Sequence, residues 1–353
     1  GGVVENSTIL LAGGSAATCR LDLSGRAPVV VKRVERNSPM SSIDAHDRHL
    51  REGLWMSELP DIARGYFPKL TVSQCSDAIE VRMQFVPAYT LGELIFQERL
   101  SFEHATRFLS RAFATLERLL YVQECDRAHS ETYTDKIRRR QQGYEEALQT
   151  SISLAKAFTH RCRINGELCR PIGQLLDIVD ASQDLRDILT TPEPRLCHGD
   201  FIPEDVLVMM PQCEPMFIDP NPLNTDPLVD FSKFVMACTI AYDCAIRDEI
   251  FVRYDRPGEF DSVTIGVNAT YCNAAKRMQE LGAWVLDNAR NLVSVDVLPR
   301  SRLKPEYIEL LASLHALAIP EFHAVVHRRI SRAHYFLRSG QLGLERALKR
   351  MGR

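Results

Sequence analysis

The chain has 353 residues, with 43 Lys or Arg against 46 Asp or Glu, a formal net charge of −3 and 45% hydrophobic content. Those values exclude a disordered polyelectrolyte and a chain held to nucleic acid by bulk charge, and they leave room for two lobes around a cleft with a sizeable core. Ten scattered cysteines without a CxxC pair exclude a zinc ribbon and fit a reduced, cytoplasmic compartment better than a disulfide framework. No basic segment followed by an apolar one opens the sequence, and no run of 18 apolar residues occurs. Neither a secretory leader nor a membrane span is therefore expected.

The first residues read as strands. Ser7–Leu11 is apolar, Ala12 to Ala16 is a glycine-bearing loop, and Thr18–Leu23 alternates, with Leu21 and Leu23 opposite Arg20 and Asp22. After the turn Ser24–Arg26, a β-branched strand over Ala27–Val34 carries one lysine, Lys32. The spacing of Ile43, Leu50 and Leu54 predicts a helix over Ser42–Glu58, stopped by Pro60. Tyr66–Val72 and Ala78–Val86 read as two further strands, and Val86–Thr90 as a connector.

From Leu91 the pattern becomes helical. Phe102, Ala105, Phe108, Leu109, Ala112, Phe113, Leu116, Leu119 and Leu120 make Ser101–Glu124 amphipathic. A more polar helix is expected over Glu131–Thr150 and a short one over Val179–Thr190. Arg195–Leu223 breaks the helical period with strand-like runs and many Asp, Pro and Asn residues. Helices resume at Pro227–Arg247 and are expected to continue to the end. The predicted class is α+β and bilobal. A small antiparallel-sheet lobe spans residues 1–86, and a larger, mainly helical lobe spans 87–353.

The most informative stretch is Cys197-His198-Gly199-Asp200, then Asp205 heading Val206-Leu207-Val208, then Met216-Phe217-Ile218-Asp219-Pro220. An aspartate after His-Gly, an acidic residue five positions later, a strand hairpin and a further aspartate follow the spacing of a kinase catalytic loop and metal loop. Such a hairpin brings Asp205 and Asp219 together, with Asp200 facing a substrate. Phosphoryl transfer also needs flexible backbone over the phosphates and a cation paired with them. Gly13-Gly14-Ser15 between two strands supplies the first, although Gly-Gly is also an ordinary hairpin turn. Lys32 supplies the second if it is buried and oriented by a helix glutamate, Glu52 or in reserve Glu58. A lysine in an apolar strand can equally snorkel to solvent.

These motifs, with Asp226-Pro227-Leu228-Val229-Asp230 and Arg51-Glu52, resemble in order those of the aminoglycoside phosphotransferase and choline kinase superfamily. The resemblance implies a protein-kinase-like fold and an ATP- and Mg²⁺-dependent small-molecule kinase. It implies that Asp200 is the catalytic base, that Asp205 and Asp219 bind Mg²⁺, and that Lys32, fixed by Glu52, holds the phosphates under Gly13, Gly14 and Ser15. Met83, Phe85 and Val86 would face the adenine, and His198 and Asp230 would be structural. The acceptor would be a hydroxyl on a sugar, nucleoside or antibiotic, with no nucleic-acid or membrane partner. One departure stands out: the family has Asn where this chain has Asp205. A carboxylate is still a hard oxygen ligand, but its extra charge also suits a weakened enzyme, a pseudokinase acting as a nucleotide-binding or interaction module.

Near the end, Arg328, Arg329, Arg332, Arg338, Arg346, Lys349, Arg350 and Arg353 stand against few acids in their own segment. If that basic amphipathic stretch lines the acceptor site, an anionic or neutral acceptor is expected.

Overall fold

The computed structural model describes residues 8–11, 18–23, 27–35, 43–125, 132–147, 152–190, 193–255, 261–326 and 329–353. The small lobe is built from β1 (Thr8–Leu11), β2 (Thr18–Asp22), β3 (Val29–Glu35), helix α1 (Ile43–Glu58), the single turn α2 (Asp61–Arg64), β4 (Leu70–Gln74) and β5 (Ala78–Gln84). Its sheet runs β1-β2-β3-β5-β4 and is antiparallel throughout. Lys32 lies opposite Val81, and Val30 opposite Met83. Because side chains alternate along a strand and directly opposed residues share a face, Val30, Lys32, Val81 and Met83 point the same way. Helix α1 packs on that face: a Cβ at Gly53 would lie 2.5 Å from the Val72 side chain and 3.4 Å from that of Val81. A strand lysine is thereby roofed by a helix rather than by solvent.

The larger lobe opens with β6 (Tyr89–Thr90) and α3 (Leu91–Phe96), then α4 (Phe102–Leu116), α5 (Tyr133–Ala147) and α6 (Ile152–Thr159). Strands β7 (Cys162–Ile164) and β8 (Glu167–Cys169) precede α7 (Ile172–Ala181) and α8 (Gln183–Leu189). The hairpin β9 (Val206–Met209) and β10 (Glu214–Phe217) leads to α9 (Pro227–Thr239) and α10 (Tyr242–Ile246). Strands β11 (Ile250–Asp255) and β12 (Asp261–Val267) are followed by α11 (Cys272–Leu292), α12 (Pro305–Ala318) and α13 (Ile330–Arg350).

Local chemistry sets several of these boundaries. Thr90 and Glu93 form a reciprocal capping box at α3. Ser101 caps α4, and Asp226 caps α9 with Pro227 in its first turn. The amphipathic run after Ser101 is α-helical only to Leu116 and continues as a π-helical turn, Glu117–Tyr121. The expected strand from Tyr66 starts at Leu70, because the Tyr66 carbonyl instead accepts from the Phe217 amide at 2.8 Å. The single helix expected over Val179–Thr190 is two helices meeting at Ser182.

The helical reading beyond Arg247 is corrected by a four-stranded sheet, β11-β12-β7-β8, in which β12 and β7 run parallel. Asn165 and Gly166, at φ +49° and +86°, make the tight turn between β7 and β8. The Asn165 side chain then accepts from the Ile265 amide at 2.9 Å. Among the described residues no helix is long and apolar enough to cross a membrane, and the nine cysteines from Cys75 to Cys272 are free thiols.

Candidate active site

The hairpin β9–β10 carries the site. Asp205 closes a 3₁₀ turn just before β9, and its carbonyl accepts from the Ile218 amide at 3.0 Å, so the hairpin holds Asp205 beside Asp219. Asp219 has φ +56°, an uncommon conformation for a residue with a side chain. Its carboxylate pairs with Lys32, whose Nζ also lies 3.2 Å from Glu52 Oε1. Lys32 and Glu52 are 7% and 3% exposed, whereas Glu58 faces solvent, so Glu52 is the helix partner. Burial alone would push the Lys32 ammonium down. The carboxylates of Asp219 and Glu52 outweigh it and hold Lys32 charged, above its ordinary range.

The Asp200 loop is fastened from below. Asp230, fully buried on α9, accepts from the His198 and Gly199 amides at 2.9 and 2.6 Å and from the Tyr121 hydroxyl at 3.0 Å. Burial still pushes its carboxyl up to about 7, against those three donors. Gly199 has φ +75°, and a Cβ there would fall 2.2 Å from the Asn221 carbonyl oxygen, so only glycine fits. The Asn224 amide donates to the Gly199 carbonyl at 2.7 Å, and His198 Nε2 sits 2.9 Å from the Ile218 carbonyl oxygen. Burial lowers His198 to about 4, and it is a neutral brace between the two loops. Cys197 faces the other way, toward the Asn224 carbonyl, its thiol pushed well up by burial.

Asp200 ends this loop and meets Lys233 of α9, Nζ to Oδ1 2.9 Å. Burial, then the charges of Asp219, Asp200 and Glu204, push the Asp205 carboxyl well above the usual range, with Lys32 pulling the other way. Carboxylates that crowd one another in this way make a seat for a cation. No cage of three or more His, Cys, Asp or Glu ligands occurs among the described residues. Mg²⁺ does not need one: it uses one or two carboxylates plus phosphate oxygens and water, and Asp205 with Asp219 fits that donor set.

At the lobe junction, Met83 is buried on the Lys32 face, and Phe85 and Val86 are half-buried. The Phe85 amide is already engaged by the Pro28 carbonyl at 3.2 Å. Gly13, Gly14 and Ser15 lie outside the described residues. Sequence reasoning missed Lys233, Tyr121, Asn224 and Arg302, whose guanidinium grips the Asp226 cap at 2.7 and 3.2 Å. Only Lys233 left a signal, as the one cation in the apolar segment Pro227–Thr239.

The expectation that the basic C-terminal segment lines an acceptor pocket is not supported. Arg329 and Arg332 pair with Asp248, Arg346 with Glu167, Arg350 with Glu309, Lys349 with Glu345 and Arg353 with Asp184, while Arg338 is buried against Gln341. Their acids come largely from other elements, which the local sequence did not reveal. Arg328 lies outside the described residues.

No family model matches the sequence, and no curated protein does. Among solved structures, choline kinase from Cryptosporidium parvum Iowa II aligns with a TM-score of 0.51 at 9% identity, over 98% of this chain and 90% of that one. Glucosamine kinase in complex with glucosamine, ADP and inorganic phosphate aligns with a TM-score of 0.50 at 12% identity, over 98% and 83%. The chain has the protein-kinase-like fold that these small-molecule kinases share.

Proposed function

We propose that this protein is a small-molecule kinase that moves the γ-phosphate of ATP, with Mg²⁺, to a hydroxyl of a small polar metabolite such as a sugar, nucleoside or antibiotic. The observation that carries this reading is the chain Glu52–Lys32–Asp219, which joins the sheet of one lobe to the hairpin of the other. A charged lysine held between a helix glutamate and a loop aspartate is the arrangement that kinases use to grip ATP phosphates. The neighbours' acceptors, choline and glucosamine, are small hydroxyl compounds by name, and one was solved with ADP.

In this reading Asp200 orients the acceptor hydroxyl and takes its proton, and Lys32 holds the α- and β-phosphates. Asp205 and Asp219 would hold Mg²⁺, which supplies neutralisation of the phosphate charge when bound. Met83 and the backbone from Phe85 to Val86 would flank the adenine, with Gly13, Gly14 and Ser15 over the phosphates. Catalysis is then mostly positioning and charge stabilisation.

A second reading has its own observation. Asp205 stands where the family it resembles has Asn, and the extra carboxylate beside Asp200 and Asp219 suits a nucleotide-binding or interaction module with little turnover. Calorimetric titration of ATP with and without Mg²⁺, into wild type and Asp219→Ala, is the test. Mg²⁺-dependent binding that weakens in Asp219→Ala supports a metal-bearing nucleotide site, and ADP production then separates enzyme from module. Absence of binding under both conditions overturns the kinase reading and leaves the fold as an interaction scaffold.

A further inference from the structure

The loop from Asp200 to Asp205 contains three acids and no cation. Lys32 is committed to Glu52 and Asp219 on the nucleotide side. The acceptor side, where Asp200 stands, needs its own positive charge, because the phosphoryl group arrives there carrying negative charge on its equatorial oxygens. Lys233 is placed to meet that need. Every residue from Pro227 to Cys238 is buried except Lys233. Its side chain is 16% exposed, so the stem runs within the packed wall and the ammonium emerges beside Asp200 at 2.9 Å.

The backbone of α9 is fixed at the same point, since Asp230, one turn earlier, holds the His198 and Gly199 amides. Lys233 and Asp200 are therefore positioned by a single rigid element. The positive field extends into the wall behind, where burial and then the charges of Lys233 and Lys136 drive the imidazole of His315 well below its ordinary range. His315 itself is tied to the Ser232 hydroxyl at 3.1 Å.

We infer that Lys233 is the acceptor-side cation of the reaction: it holds the Asp200 carboxylate between turnovers and stabilises the phosphoryl group as that group crosses to the acceptor. This rests on the kinase reading. As the bond from the γ-phosphorus to the β–γ bridging oxygen breaks, its electron pair leaves on ADP. The acceptor oxygen bonds to phosphorus and its proton passes to Asp200. Lys233 gives up no proton in this step, and its ammonium moves from the carboxylate to a phosphoryl oxygen as charge accumulates there.

The test uses the full chain with water as acceptor, so no acceptor need be known. ATP hydrolysis, Mg²⁺-ADP affinity and the tightening of ADP binding by aluminium fluoride are measured for wild type, Lys233→Met, Lys233→Gln and Lys233→Arg. Thermal unfolding identifies the folded variants. The neutral variants are expected to lose kcat by about 100-fold, the scale of one preorganised charge donor. Their KM for ATP and their Mg²⁺-ADP affinity should stay within about threefold of wild type, because ground-state binding does not use Lys233. They should also lose the aluminium fluoride response, and Lys233→Arg should keep part of both. A purely structural ion pair would not produce that split. Neutral variants that match wild type in kcat and in the aluminium fluoride response overturn the inference. A wild type that binds no Mg²⁺-ADP overturns the kinase reading beneath it, which is a different result.

Discussion

Lys32 has two carboxylate partners, and their exposure decides which matters for stability. The Asp219 side chain is 41% exposed, so that pair is weakened by solvent and mainly serves the site. Glu52 is 3% exposed, and removing Lys32 takes the lysine charge from this buried carboxylate and leaves it beside His49, whose Nδ1 lies 3.2 Å away. Lys32→Met is therefore expected to lower stability by about 3 kcal/mol. Lys32→Met with Glu52→Gln should recover much of it, as read by urea denaturation; a double variant no more stable than Lys32→Met would show that Glu52 is not the stranded group. Gly199 offers a second residue-level contrast. Gly199→Ala and Gly166→Ala both place a side chain at positive φ, at a strain on the order of 1 kcal/mol. Only at Gly199 would the new Cβ strike backbone, the Asn221 carbonyl, whereas nothing lies within 4 Å at Gly166. Gly199→Ala should cost about 2–3 kcal/mol and most of the activity, and Gly166→Ala about 1 kcal/mol and little activity. The approach of Lys32 to Glu52 is legible in the sequence, because a lone cation in a β-branched strand and a glutamate in the next helix face each other once the helix covers the sheet. Asp200, Asp205 and Asp219 are legible from spacing across one hairpin. The support from Tyr121 and Arg302 is not, since their partners lie 109 and 76 positions away and nothing local marks them.

At the scale of elements, helix α13 and strand β11 meet through His334 and Tyr254. The hydroxyl of Tyr254 bonds the His334 ring, whose plane stands at 89° to that of the phenol. Burial, helped by the Arg338 charge from the same helix, lowers His334 to about 4. In the unfolded chain the imidazole titrates near 6.5. Between those values the unfolded chain holds a proton that the folded chain does not, so this contact contributes fully above about pH 6.5 and is lost as pH falls toward 4. The stability of wild type relative to His334→Asn is expected to rise by about 2–3 kcal/mol from pH 4.5 to 7 and then level off. A gap independent of pH in urea titrations would place the imidazole in contact with solvent. The sheet behind this contact shows where sequence reading fails. Strand β11 is an edge with charged residues among its apolar ones, and β7 and β8 are three residues each. Strands so short carry no period, and their pairing, Val263 with Ile164, spans about a hundred residues. Long amphipathic helices such as α4 and α11 need no distant partner to be recognised, but the break of the first at Leu116 has no Gly or Pro to mark it.

The whole molecule has two lobes, but its core does not divide at residue 86. One hydrophobic cluster includes Trp55, Met56, Leu59, Ala63 and Phe67 together with the interior of the larger lobe. Rings carry it across: Trp55 meets Phe67 at 5.7 Å, and Phe67 meets Phe217 at 5.7 Å and His198 at 6.4 Å. Among the described residues, the separate cluster inside the small lobe contains three buried residues, Ile79, Val81 and Met83, with Val30, Leu50, Leu70 and Val72 at its margin, and Leu21, Val31, Val34 and Ala78 are buried outside it. A unit of some 80 residues with so small a core of its own is marginal alone. Most of its stability must therefore come from the junction, and the lobes should unfold together although they look separate. The two tryptophans of the chain make this measurable, because Trp55 sits at the junction and Trp284 on α11 of the larger lobe. In Trp284→Phe, fluorescence reports the junction alone, while far-UV circular dichroism is dominated by the helices of the larger lobe. The two urea transitions are expected to coincide, as a single cooperative unit requires. A Trp55 transition well below the helical one would show instead that the small lobe detaches first, and the boundary at residue 86 would then be one of folding as well as of shape.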